Sequence, residues 1–321
     1  MLPSLRVARY TFTLRVEQDM PLPPYKGGVL RGAFGAALRR LTCARPGHGE
    51  CDDCLLRARC PYAYLFRTPV PHSAEVLRTY SEVPHPFALE PPLDQRPLYH
   101  PGEELSFGLV LAGQGILYLP YFLAVFQELG RLGLGPRRAR FALEQVHAVH
   151  PLQGERTLVY RAADERVEEH DLGAGPAEIS AHAAALPAGR VSLRFLTPTR
   201  LKYADRYVVR PAFHVLVRRL LSRVSSLAYF HGGERWEADF RGLIARAQDV
   251  RAAHMDTRWV DWERYSTRQE ARMVLGGFVG QVTYEGDGLG EFLPLLLLGS
   301  LVHVGKACTF GHGWYQVEGQ D

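Results

Sequence analysis

Lysine is nearly missing from this chain: Lys26, Lys202 and Lys306 are the only three among 38 basic residues in 321. A GC-rich coding bias produces such a ratio. In an arginine-rich background a lysine also supplies a compact point charge in place of a planar fork. Each of the three lies beside turn residues, in "PPYKGG", "TRLKYA" and "HVGKAC". Long apolar runs are missing as well. The longest, from about Phe292 to Val304, is too short and too interrupted to span a bilayer. The opening "MLPSLRVARYTFTLRV" alternates like a strand and is not a signal peptide. A cytoplasmic protein without membrane contact is therefore expected. A P-loop is also missing. Ala307 follows Gly305-Lys306 where that motif needs Ser or Thr, and an apolar helical pattern precedes the glycines where a strand should, so ATP or GTP binding is not expected.

What is present describes a soluble globular chain of one large or two ordinary domains, with 46% hydrophobic and 22% charged residues. The net charge of +4 is mild but unevenly placed. Residues 196–231 carry seven Arg or Lys and one Asp, whereas "ADERVEEHD" concentrates acid before residue 172. Such segregation suits an anionic polymer, or a solvated helix face.

Hydrophobic periodicity repeats one architecture twice. Ala8, Tyr10, Phe12, Leu14 and Val16 alternate as a strand. Val29, Leu30, Phe34, Leu38 and Leu41 follow at helical spacing, with Gly32, Gly35 and Ala36 thinning one side for close packing or a close ligand. A strand at Leu105–Leu111, a helix over Phe122–Leu132 and a strand at "RFALEQV" complete β-α-β-β-α-β, given one weak strand around 76–90. After a polar stretch at 152–189, Val191, Leu193 and Phe195 begin the second round. It continues through the amphipathic "RPAFHVLVRRLLSRVSSLAYF", strands at "TRWVDWERYS" and "GGFVGQVTYEG", an apolar helix at 289–302 and a last strand, "WYQV". The fold class expected is α+β: two ferredoxin-like domains in tandem, at 1–151 and 190–321, joined by a linker or insertion at 152–189.

Cys43, Cys51, Cys54 and Cys60 fall within eighteen residues as C-x7-C-x2-C-x5-C. Four thiolates can complete a tetrahedral zinc site, and a closed site of that type leaves no position for catalytic water. A disulfide pair is the alternative, disfavoured in a reducing compartment. A structural zinc-binding insertion at about 43–66 is the expectation, with Cys308 left over to pack.

The segments "YKGGVLRGAFGAALRRL", "FLTPTRLK", "WVDWERYSTRQEARMVLGGFVGQVTYEG" and "LGSLVHVGKACTFGHGWYQV" occur in that order over nearly the whole chain. Together they resemble the precursor-crRNA-processing endoribonucleases of the RAMP superfamily of CRISPR systems, which include members with a cysteine-bearing insertion. The resemblance implies two ferredoxin-like domains that bind CRISPR repeat RNA and cut it without a catalytic metal. In that family the ribose 2′-OH attacks the adjacent phosphate, leaving a 2′,3′-cyclic phosphate and a 5′-OH. It also admits a repeat-RNA-binding subunit that cuts weakly or not at all, and contacts with other CRISPR effector subunits.

The reaction needs a base, an acid and cations for the crowded phosphate. The family often places a histidine near the end of its first helix, but none lies within that helix here. His48, just beyond it, is the nearest candidate; His303 and His312 near the glycine loop are rivals, and Tyr25 precedes the helix. Gly305, Gly311 and Gly313 offer bare backbone to phosphates beside Lys306, or simply make a tight turn. Lys26, Arg218, Arg219, Arg223, Arg264 and Arg268 are the expected RNA-backbone cations, with His312 at the same surface. Trp259, Trp262 and Tyr265 could stack on bases or pack in the core.

Overall fold

The computed structural model describes residues 2–45, 51–68, 83–164, 166–168, 170–266 and 271–318. The alternating segment forms β1 (Val7–Val16), followed by the two-residue β2 (Met20–Pro21), α1 (Gly27–Thr42) and α2 (Pro61–Arg67). β3 (Phe87–Glu90), the short β4 (Leu98–Tyr99), β5 (Glu104–Ala112), α3 (Leu119–Leu132) and β6 (Phe141–Val149) complete the first unit. The sheet order β3-β5-β1-β6 is the ferredoxin-like arrangement, with the first strand between its two antiparallel neighbours. Phe12 stands opposite Phe107 in the ladder, and the two rings stack at 5.2 Å. Phe34 of α1 stacks on Phe122 of α3 at 4.2 Å, so aromatic packing locks both helices over the sheet. Gly35 lets α2 approach α1 closely, since a Cβ there would lie 2.7 Å from the Phe66 ring.

Residues 152–189 are more ordered than a polar linker. β7 (Arg156–Arg161) and β8 (Arg166–Val167) extend the first sheet beyond β6, and α4 (Pro176–Ala184) buries Ile179 and Ala183 in the core of the second unit. That unit comprises β9 (Arg190–Thr199), the hairpin β10 (Lys202–Tyr203) and β11 (Arg206–Tyr207), α5 (Phe213–Leu227) and α6 (Phe240–Arg246). β12 (Arg251–Val260), the hairpin β13 (Glu263–Ser266) and β14 (Ala271–Val274), β15 (Gly277–Glu285), α7 (Leu293–Val302) and β16 (Tyr315–Glu318) follow. The order β12-β15-β9-β16 repeats the first sheet's arrangement.

The two units share a core. Val7, Ala88, Val110 and Ala112 on the back of the first sheet are buried in the same cluster as Leu216, Leu220 and Leu227 of α5. β3 is consequently buried on both faces, which accounts for four successive buried residues where a half-exposed strand would alternate. Among the described residues, no helix is long and apolar enough to cross a membrane.

Candidate nucleic-acid interface

α7 is apolar all round and ends at His303, where φ turns positive at +63°. The following loop doubles back under the first sheet. Gly313 has φ +72°, and a Cβ there would lie 1.8 Å from the Val304 carbonyl oxygen, so only glycine fits. The loop's amides are spent internally: Lys306 N–H reaches Arg200 O at 3.3 Å, Gly311 N–H reaches Cys308 O at 2.8 Å, and Gly313 N–H reaches Pro198 O at 3.1 Å. The Gly311 carbonyl accepts from Thr197 Oγ1 at 2.6 Å. The phosphate cradle expected at Gly311 and Gly313 is therefore corrected. These glycines let two backbones touch, and only Lys306 of the turn is exposed.

The same packing buries the expected loop histidines and leaves Tyr25 half-buried. His303 is fully buried, with Nδ1 3.2 Å from His312 O and Nε2 3.9 Å from Glu90 Oε1, an ion-pair distance and too long for a hydrogen bond. Burial lowers its pKa against the opposing pull of Glu90. Burial alone would raise the pKa of Glu90, but Arg9 at 2.8 Å and His303 outweigh it and hold the carboxyl below its ordinary value. His312 is also fully buried, its ring 5.3 Å from Tyr25 and 5.5 Å from Trp262, and neither ring nitrogen has a hydrogen-bond partner among the described residues. Burial, reinforced by Arg200 and His303, pushes its pKa down to about 3. Tyr25 donates its hydroxyl to Phe310 O at 2.8 Å, and burial raises its pKa well above the phenol range. It is a tether between the units that keeps its proton. Trp262, expected as a base stacker or core residue, packs on Tyr25 at 4.6 Å.

Lys26 is corrected too. It is fully buried, and its ammonium donates to Asp94 Oδ1 and Asp94 O, each at 2.8 Å, which leaves no face for a polyanion. Of the α5 arginines only Arg218 is exposed. Arg223 donates Nε to Val302 O at 2.7 Å and Arg219 donates to Lys202 O, so both act as ties between α5 and its neighbours, contrary to expectation. Those ties place α5 on the same side of the second unit as the Lys306 turn. Arg264 contributes backbone to β13 opposite Met273, while His48 and Arg268 lie outside the described residues.

Residues 5–172 match the family model AF_1859_N, N-terminal domain, and residues 193–315 match the model of CRISPR-associated endoribonuclease Cas6. The chain belongs to the family of the AF_1859_N model. Its amino-terminal half is the AF_1859_N domain, which spans just over half of the sequence. An uncharacterized protein of Archaeoglobus fulgidus is 24% identical over 330 residues, covering 98% of each chain. Two solved structures share the fold. A Cas6 product complex superposes with TM-score 0.58 at 18% identity, over 97% of this chain and 99% of that one. Thermus thermophilus Cas6 gives 0.56 at 17%, over 98% and 99%.

Also exposed are the cations Arg206 and Arg210 and the tyrosines Tyr203 and Tyr207, which the sequence alone did not single out. Their signal was the stretch "LKYADRYVVR", which mixes rings and charges without apolar periodicity. Cys43, Cys51, Cys54 and Cys60 are free, half-buried and line one cavity of about 180 Å³. Burial raises the Cys51 thiol, with Arg39 and Arg67 pulling the other way. Among the described residues no three His, Cys, Asp or Glu are gathered closely enough to hold a metal ion.

The buried imidazoles make stability depend on pH. His312 and His85 are held at about 3 and His231 at about 4, each chiefly by burial. The unfolded chain binds these protons near pH 6.5, so stability is intact above that pH and falls as pH drops toward 4. Each excluded proton costs up to about 1.4 kcal/mol per pH unit. Urea unfolding at pH 7 and pH 5 should show His312→Phe losing roughly 2 kcal/mol less than the parent over that interval. Equal losses in the two proteins would contradict a buried neutral His312.

Proposed function

We propose that this chain binds CRISPR repeat RNA in precursor crRNA and cleaves it by transesterification. The observation that carries the reading is the Cas6 match over the second domain, in the unit whose surface exposes Lys306, Arg206, Arg210 and Arg218 on a chain otherwise balanced in charge. Cations so placed neutralise phosphates and set register without reading bases. The 2′-oxygen attacks the adjacent phosphorus and the bond to the 5′-oxygen breaks. A base takes the 2′ proton and an acid supplies one to the departing oxygen, giving a 2′,3′-cyclic phosphate and a 5′-OH. The nucleophile is already on the RNA, so no metal-activated water is needed.

With His303 and His312 buried and Tyr25 committed to a carbonyl, His48, in the segment after the first helix, remains as the proton-transfer candidate. Burial of both loop histidines also favours a second reading, a subunit that binds repeat RNA without cutting it. Labelled repeat RNA incubated with the protein in EDTA separates the two. Cleavage with a cyclic phosphate end, slowed about 100-fold or more by His48→Ala, is expected. Shifted but intact RNA selects the second reading, and unchanged single-turnover cleavage by His48→Ala removes that residue from the mechanism.

We propose a structural zinc at the four cysteines on donor chemistry alone: four free thiols line one cavity, though they are not drawn together closely enough to hold an ion in this structure. Cys43, Cys51, Cys54 and Cys60 would hold the ion, which supplies cross-linking and no open coordination position. They would also fix the end of α1 and the segment bearing His48. Elemental analysis of protein purified without added zinc should give about one zinc per chain, lost together with thermal stability in Cys54→Ser. A stoichiometry near zero would remove the site.

A further inference from the structure

The hairpin of β10 and β11 turns through Ala204 and Asp205, with φ of +45° and +62°. Two-residue hairpins of this left-handed type are normally built from Asn-Gly or Gly-Gly. Here two residues with side chains hold the strained conformation, on a hairpin that buries little of itself: Tyr203, Ala204, Asp205, Arg206 and Tyr207 are all exposed. Lys202 pairs with Asp205 at 2.8 Å across the turn, and Arg219 of α5 donates to the Lys202 carbonyl, so the hairpin is fixed to the domain body at its base. A rigid, exposed and strained element with no core of its own calls for a role outside the fold.

The side chains on one face supply it. Tyr203 and Arg206 are directly paired in the ladder, so both project from the same side. On that side the Tyr203 ring meets His214 of α5 edge-on at 5.5 Å, and Arg218 lies one helical turn beyond His214 on α5. Tyr203 keeps 41% of its surface exposed. Among the described residues, neither Arg206 nor Arg218 is in an ion pair with an acid. The opposite face is occupied differently: Tyr207 is covered by the Arg200 guanidinium at 4.4 Å. Tyr203 is thus partly exposed beside two guanidinium groups that make no ion pair with an acid among the described residues.

We infer that Tyr203, Arg206, His214 and Arg218 form a subsite for an unpaired nucleotide of single-stranded RNA, with the base on the Tyr203 ring and its phosphates at Arg206 and Arg218. An exposed aromatic face flanked by cations accepts any base by stacking and holds its backbone by charge. A duplex keeps its bases stacked within the helix and offers this ring nothing to stack on. The inference rests on the RNA-binding reading above and locates where a strand outside any paired stem is held.

Fluorescence anisotropy with a single-stranded oligoribonucleotide and with a blunt duplex of equal length tests it, each repeated with Tyr203→Ala, Tyr203→Phe and Arg206→Ala. Tyr203→Ala should weaken single-strand binding about 5- to 100-fold, with Tyr203→Phe close to the parent and duplex binding unchanged. Arg206→Ala should reduce the salt dependence of single-strand binding by about one phosphate contact. Parent-like single-strand binding by Tyr203→Ala, or equal weakening toward the duplex, overturns the subsite while leaving RNA binding in place. Failure of the parent to bind either RNA overturns the RNA-binding reading and the subsite with it. Tyr203 is outside both cores, so each variant should unfold at the parent's temperature, which keeps loss of fold from imitating loss of binding.

Discussion

Everything in the molecule depends on backbone meeting backbone where the loop after α7 passes under the first sheet. Gly27 meets the Phe310 carbonyl and Gly311 the Leu89 carbonyl so closely that no side chain fits between them, and the Gly311 and Gly313 amides close hydrogen bonds inside the protein. Tyr25 then reaches from the start of α1 to the Phe310 carbonyl, fastening the first unit to the loop of the second. Glu90, buried in this seam, is offset by its pair with Arg9 and by facing His303. The contact between the two ferredoxin-like units is largely peptide and aromatic ring.

That construction separates stability from chemistry. The histidines of the seam are held neutral by burial, and a neutral imidazole with no route to solvent cannot shuttle protons for a bound polymer. On the proposed function, catalytic and binding groups lie elsewhere: in the segment after α1, at the Lys306 turn, and on the cationic, tyrosine-bearing surface between β9 and α5. Arg219 and Arg223 connect the two zones. Their guanidinium groups hold carbonyls of the hairpin base and of the end of α7, so the exposed surface inherits the rigidity of the seam.

The repeated β-α-β-β-α-β order was legible because alternation in β1, β5 and β9 and helical spacing in α1, α3 and α5 each point one apolar face inward. β3 was the weak strand because both of its faces are buried, which erases the alternation that would announce it. Residues 152–189 read as a linker since β7 and β8 are edge elements with exposed polar faces, and α4 contributes only two buried side chains. The site was less legible for a physical reason. Glycine spacing reports where backbones approach, without saying whether the approaching partner is a phosphate or another strand. Lys26 shows the same limit: its charge is visible in the sequence, and its burial against Asp94 is not. Tyr203 and Arg206 carried no periodic signal, because a hairpin without a core has none.

The central claim is that the glycine loop is an interior joint and makes no anion cradle. Amide hydrogen exchange at Gly311 and Gly313 tests it most directly, read in the free protein and again with repeat RNA bound. Both amides should exchange only through large-scale unfolding, as slowly as the core strands, and RNA should add no protection relative to those strands. Rapid exchange in the free protein, slowed selectively when RNA binds, would contradict the account and return the loop to the surface.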